Sequence, residues 1–105
     1  MLERKRRLPI KEFNNRRKKK VLSEHFLFKI ADNELPHNRF AVVIGKSSAR
    51  LATQRHTLKR RIVGRLVKLP EKGKDILVLA QKSLQGIGPG NLKKELDQIC
   101  NSFNL

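Results

Sequence analysis

Acids are scarce in this sequence: its 105 residues hold 9 Asp and Glu against 25 Lys and Arg, a formal net charge of +16 at pH 7. Such an excess repels itself in a compact state, so it predicts a polyanionic partner, nucleic acid first and an acidic membrane surface second. Tryptophan and tyrosine are absent and only five phenylalanines occur, which argues against a sheet that reads RNA with an aromatic triad. The lone cysteine, Cys100, excludes an intramolecular disulfide, and His25, His37 and His56 lack zinc-ligand spacing. A reducing, cytoplasmic setting is expected. The longest apolar run, near Phe40 to Ile44, falls far short of the roughly 18 residues that cross a bilayer. The basic start, Met1 to Arg7, leads to Lys11-Glu12 rather than to an apolar stretch, so neither a transmembrane helix nor a secretory signal is expected. With 38% hydrophobic residues, the chain supports one small domain over 1–105 and no large enzymatic cleft.

Familiar catalytic and nucleotide-binding patterns fail one by one. Gly45-Lys46-Ser47 resembles the tail of a phosphate-binding P-loop, yet Phe40 stands where that motif needs its first glycine, and the residues between read as strand. Gly86, Gly88 and Gly90 alternate before a helix but lack the dinucleotide-binding spacing and its later acidic residue. No set of Ser, His or carboxylate residues shows a spacing suited to nucleophilic or metal-assisted hydrolysis. A protein-only catalyst is therefore disfavoured, and no protein-bound cofactor or metal is expected.

Along the chain, residues 1–7 read as a flexible basic arm, and Pro9 opens a short helix whose apolar members are Ile10 and Phe13. On that otherwise polar helix Phe13 is the best candidate for an exposed aromatic. Asn14 to Lys20 is polar and basic, and reads as a solvated segment. His25 to Ile30 and Phe40 to Ile44 are read as two antiparallel strands joined by a polar turn. The second shows no polar alternation, which predicts cover on both faces or a central position. A long helix follows over about Leu51 to Leu69, closed by Pro70, then a strand Asp75 to Ala80. A last helix, capped by Asn91, carries a buried face of Leu92, Leu96, Ile99 and Phe103 with Cys100 packed beside it. The expected class is α+β, helices packed on a small sheet.

The central helix carries the functional signal. At 100° per residue, Leu51, Leu58, Ile62, Leu66 and Leu69 fall on one stripe that should meet the sheet. Arg50, Arg61, Arg65 and Lys68 gather along one flank, Arg60 faces solvent, and Arg55 and Lys59 take the other flank. A helix basic on both shoulders in a chain short of acids is suited to phosphates, which arginine grips with its fork of donors. His56, within this stretch, is either an exposed imidazole or a donor to phosphate or a base.

Leu8 with Phe13, the strand Phe40 to Ile44, Gly45-Lys46-Ser47, the block Arg55-His56-Thr57-Leu58-Lys59-Arg60-Arg61, and Lys74 to Ala80 together resemble the bacterial ribonuclease P protein component over almost the whole chain. That family carries R-N-R-x-K-R on a basic helix, after a strand ending in S-K-K and before a strand of the D-I-V-x-x-A-R type. Arg55, Lys59 and Arg60 match the helix motif, whereas His56 replaces its Asn and Thr57 its second Arg. Lys46-Ser47 keeps the first of the paired lysines, and Arg16 and Arg17 stand where the first helix is usually more apolar. The resemblance implies a two-layer αβββαβα sandwich with a left-handed crossover, against the general rule of handedness. It also implies a non-catalytic subunit of ribonuclease P, a monomer before assembly that needs no protein partner or membrane. Its partners would be the ribonuclease P RNA, bound through Arg55, His56, Lys59, Arg60, Arg61 and Arg65, and precursor tRNA. The 5′ leader of that substrate would lie in a cleft between the basic helix and the sheet, met by Phe13, Arg17, Lys46 and Ser47. Hydrolysis would belong to the RNA with its Mg²⁺. A ribosomal or other structural RNA-binding protein shares the charge and size, and a helix-turn-helix DNA binder would use the same long helix, although Pro70 leaves no adjacent helix to complete that motif.

Overall fold

Among the described residues, 4–14 and 18–102 of the computed structural model, a 3-10 turn at Arg4–Arg6 is followed by α1 (Ile10–Asn14), β1 (Lys19–Leu22), β2 (Phe26–Asp32), β3 (Arg39–Val43), α2 (Ala52–Leu66), β4 (Lys74–Ala80) and α3 (Pro89–Ser102). This is the expected α+β fold in the αβββαβα order. The strands lie side by side as β1-β2-β4-β3, with β2 antiparallel to both its neighbours, β1 and β4, and β3 parallel to β4. Strands β2 and β3 do run in opposite directions, but β4 separates them. Strand β3 is therefore an edge rather than central, and the N-terminal segment covers that edge: Arg7 bridges to Phe40, and Leu8 N donates to Phe40 O at 3.0 Å. The expected flexible arm is thus seated from Arg4 onward, with Arg6 Nη1 donating to Glu71 at 2.8 Å.

Side chains alternate across the sheet, so even-numbered residues of β2, β3 and β4 share one face with odd-numbered residues of β1. Phe26, Phe28, Ile30, Phe40, Ile76 and Val78 pack there against Leu58, Ile62 and Leu66 of α2 and Leu92, Leu96, Ile99 and Cys100 of α3. Fully burying each such side chain contributes about 1.5–3 kcal/mol. The helical stripe is as expected except at Leu51, which precedes the helix and is exposed. Helix α2 ends at Leu66, and a turn brings Leu69 into the core before Pro70. Helix α3 starts two residues before Asn91, at Pro89, whose missing N–H costs nothing in a first turn. Phe103 lies outside the described residues.

Odd-numbered residues of β2, β3 and β4, with Lys20 and Leu22 of β1, form the opposite face. At one end of it Leu8 and Phe13 pack on Ala31 and Leu77. Phe13 is completely buried, so the expected exposed aromatic is instead a core residue: α1 lies across the sheet and turns Ile10, not Phe13, to solvent. Two apolar positions on a five-residue helix set no such direction in advance. Lys19 and Lys20, expected in a solvated segment, belong to the edge strand β1.

Candidate nucleic-acid interface

The site begins with the position of α2, which is held at both ends. Its N-terminal approach is clamped by Arg55, whose Nη1 donates to Ala49 O at 2.9 Å and Arg50 O at 3.0 Å. Beyond its C-terminus, buried Asn38 accepts from Lys72 N at 3.1 Å and Lys74 N at 2.9 Å and donates to Pro70 O at 3.0 Å, fixing the return into β4. Gly73 in that return has φ of 67°, and a Cβ there would sit 2.5 Å from Leu35 O, so glycine is required. Buried Asp75 then accepts two bonds from Arg39, 2.9 Å from Nε and 2.7 Å from Nη2, and one from Asn33 at 2.8 Å. Asn38 and Asp75 were missed as supports of the site. Polar residues in a turn announce only a turn, and nothing in their spacing reveals that they are buried.

The basic side chains of α2 occupy three sides of the helix. His56 and Arg60 share the outer side with Val63, Gly64 and Val67. Arg61, Arg65 and Lys68 line a groove against Leu92, Lys93 and Leu96 of α3. Arg55 and Lys59 take the remaining flank, half-buried. Of these, only Arg65 meets a carboxylate, donating through Nε to Asp97 of α3. Lys59, Arg60, Arg61 and Lys68 have no ion-pair partner among the described residues. Their charge is thus available to an outside anion. Thr57 turns its hydroxyl back to Thr53 O at 3.0 Å and brings no charge to this surface.

Among the described residues, Leu58, Ile62 and Leu66 fill the interface between α2 and the sheet, where a cleft was expected. The open face is the other one. There Leu22, Leu27, Leu79 and Val43 stand in register as one apolar row across all four strands. Leu22 and Val43 are exposed, at 70% and 41%. In the next row Lys20 faces Lys29, and Lys18 Nζ lies 5.2 Å from the centre of the Phe13 ring. Phe26, Phe28 and Phe40 all point to the opposite face, so among the described residues no aromatic is exposed on this one. Lys46 and Ser47 sit in the loop just after β3, both exposed. Arg17 lies outside the described residues. Burial holds the Cys100 thiol above its ordinary range, in keeping with a packing role.

Comparison with known proteins gives this geometry its context. The model of the family described as Ribonuclease P matches residues 3–104. The chain belongs to the ribonuclease P protein family. The ribonuclease P protein component of Pseudomonas putida strain GB-1 is 42% identical over 82 residues, covering 76% of this chain and 61% of the relative. That of Stutzerimonas stutzeri is 33% identical over 82 residues, 76% of this chain and 63% of the relative. The chain therefore spans less than two thirds of the length of these curated relatives. Among solved structures, the RNase P protein from Thermotoga maritima superimposes with a TM-score of 0.72 at 25% identity, covering 89% of this chain and 95% of that one. A Staphylococcus aureus RNase P protein mutant gives a TM-score of 0.82 at 19% identity, with 95% and 89% covered, a likeness of fold. Family membership favours neither a DNA-binding nor a ribosomal role.

Proposed function

We propose that this chain is the RNA-binding protein subunit of ribonuclease P, which assists endonucleolytic removal of the 5′ leader from precursor tRNA while the RNA breaks the bond. The observation that carries this reading is the absence, among the described residues, of carboxylate partners for Lys59, Arg60 and Arg61 of α2 and for Lys68 just after it, on a helix whose apolar side is fully used. Arg55, His56, Lys59, Arg60, Arg61 and Arg65 meet the catalytic RNA. Arg55 does so with the part of its guanidinium that the loop leaves free. The contacts are mainly to phosphates, which fix position without reading sequence.

The leader crosses the open face of the sheet rather than a cleft beside α2. Its bases lie against the row Leu22, Leu27, Leu79 and Val43, its phosphates meet Lys20 and Lys29, and Lys46 and Ser47 hold it at the end of β3. Phe13 serves this path from beneath, by setting α1 on the sheet. An aliphatic platform with lysines accepts any base, so the site is tolerant of leader sequence.

Mg²⁺ belongs to the RNA in this reading, where it supplies activation of the attacking water. The one His and acid group among the described residues whose ligand atoms converge is Glu24, His25 and Glu95. Glu95 already accepts from Ser23, from His25 N at 2.8 Å and from His25 Nδ1 at 2.7 Å, which does not suit an ion demanding octahedral oxygen ligands. No step is assigned to protein-bound metal. The subunit is cytoplasmic and monomeric before assembly, and needs no other protein.

Reconstitution tests the proposal: the protein is mixed with a bacterial ribonuclease P RNA at low Mg²⁺, and leader removal from precursor tRNA is scored. Cleavage that requires the protein is the expected result. Tight RNA binding with no gain in cleavage would return the chain to the class of structural RNA-binding proteins.

A further inference from the structure

The loops that follow the parallel strands β3 and β4 meet the N-terminus of α2 and enclose a polar groove of roughly 760 Å³, lined by Lys46, Ser47, Ser48, Arg50, Leu51, Gln54, Ser83 and Gln85. Four features of this groove converge on one ligand chemistry. First, the cap residue of α2, Leu51, has no side-chain acceptor for the first-turn amides, although its own N donates to Gln54 Oε1 at 3.3 Å, and the first turn carries no acid. Its first intrahelical bond runs from Arg55 N to Leu51 O at 3.1 Å, so the N–H groups of Ala52, Thr53 and Gln54 precede the helical ladder and concentrate positive potential there. Leucine at the cap position cannot accept from them.

Second, Ser48 is 3% exposed, yet its hydroxyl has no hydrogen-bond partner among the described residues. Its backbone, by contrast, is engaged on both sides, N to Gly45 O at 3.1 Å and O to Leu84 N at 2.7 Å. A buried hydroxyl without a partner is destabilising, a cost that a ligand in the groove would remove. Third, Lys46 and Arg50 flank the groove without ion-pair partners among the described residues. Fourth, the groove lies outside the carboxyl ends of the two parallel strands, the place where α/β sheets present helix N-termini to ligands.

We infer that this groove is a phosphate-binding site, in which the Ser48 hydroxyl and the first-turn amides of α2 donate to the phosphate oxygens while Lys46 and Arg50 neutralise its charge. It is not a P-loop, for no glycine-rich loop wraps the anion; the buried hydroxyl and the uncapped helix do that work. The apolar row Leu22, Leu27, Leu79 and Val43 ends on β3 three residues before Lys46 of the groove, so an RNA strand that leaves the row past Val43 meets the loop that carries Lys46. This assignment to RNA rests on the function proposed above; the affinity for phosphate does not.

Inorganic phosphate is the first probe, titrated into the full chain at constant ionic strength against chloride while amide chemical shifts are followed. Saturable shifts centred on Ser48, Ala52, Thr53 and Gln54 are expected, and shifts spread evenly over the basic surface would overturn the site. Ser48→Ala provides the sharper arm. Loss of an unpartnered buried hydroxyl should leave the melting temperature unchanged or raised, whereas phosphate affinity should fall about tenfold or more, as befits a bond to a charged acceptor. Unaltered affinity in S48A refutes the assignment. A short single-stranded RNA with and without a 5′-phosphate then identifies the source: equal S48A-sensitive affinities mean an internal phosphodiester, and a preference for the phosphorylated end means a terminal one. Absence of S48A sensitivity in both would count against an RNA phosphate. Leader removal by the reconstituted enzyme keeps the two readings apart, since normal cleavage with a silent groove rejects the groove alone, and a binding groove with no cleavage rejects the subunit role alone.

Discussion

Where β4 begins, Arg39 grips Asp75 at 2.7 Å, Lys74 meets Asp32 and Arg6 meets Glu71 at 2.8 Å, whereas along α2 Lys59, Arg60 and Arg61 reach no acid among the described residues. The two regions carry the same kinds of cation and use them oppositely. In the first, acids are spent on pinning the loops that return the chain to the sheet. In the second, among the described residues, Asp97 meets Arg65 and no other acid pairs with the helix. A sequence with nine acids can satisfy its scaffold or its surface, and this one satisfies its scaffold. The depressed pKa values of Asp32 and Glu71 record the same choice, caused first by hydrogen bonds from Lys74 and Arg6 respectively.

If that contrast is sound, substitutions in the two regions should fail in different assays. Asp75→Ala leaves the Arg39 guanidinium without its buried partner and should cost about 3–5 kcal/mol in denaturant unfolding; a loss below about 1 kcal/mol would mean that this pair is no anchor. Gly73→Ala combines a left-handed backbone with a clash against Leu35 O, and should cost about 2 kcal/mol or more by the same measurement. Arg55→Ala straddles the two regions: losing its bonds to Ala49 O and Arg50 O should cost about 1 kcal/mol of stability and weaken RNA binding as well. Lys59→Ala with Arg60→Ala should leave stability within about 0.5 kcal/mol. Each lost phosphate contact should also flatten the salt dependence of RNA affinity by roughly 0.7–0.9 in slope. An unchanged slope would remove that side of α2 from the interface.

The smallest effect concerns Glu95. Burial acts to raise its pKa, but hydrogen bonds from Ser23 and His25 outweigh it and the net shift is downward. Its contribution to stability is therefore present above the ordinary value of 4.5 and is lost as pH falls through the lower folded value. Melting temperatures of Glu95→Gln followed between about pH 3 and 6 should show a shallower acid decline than the parent. Parallel curves would show that Glu95 does not hold the β1–β2 turn to α3.

Periodicity made α2 and α3 legible, because a helix that buries one side repeats its apolar residues at a fixed angle, and Leu58, Ile62, Leu66, Leu92, Leu96 and Ile99 do so. It gave no guidance for α1, whose five residues span little more than one turn, and so Phe13 was read as facing solvent. It also left β1 unseen, since Lys19 and Lys20 on an edge strand look like any basic run. Strand order escaped it as well: Phe40 to Ile44 and Asp75 to Ala80 are equally apolar, and only hydrogen-bond pairing between distant segments makes β4 central and β3 an edge.

Charge, the spacing of basic residues on one helix, and the shortage of acids were settled by composition and order along the chain, for these need no partner from elsewhere in the fold. Which cations stay unpaired, which face of the sheet lies open, and the isolation of the Ser48 hydroxyl beside an uncapped helix were decided by tertiary structure. Each depends on groups far apart in sequence meeting in space or failing to meet.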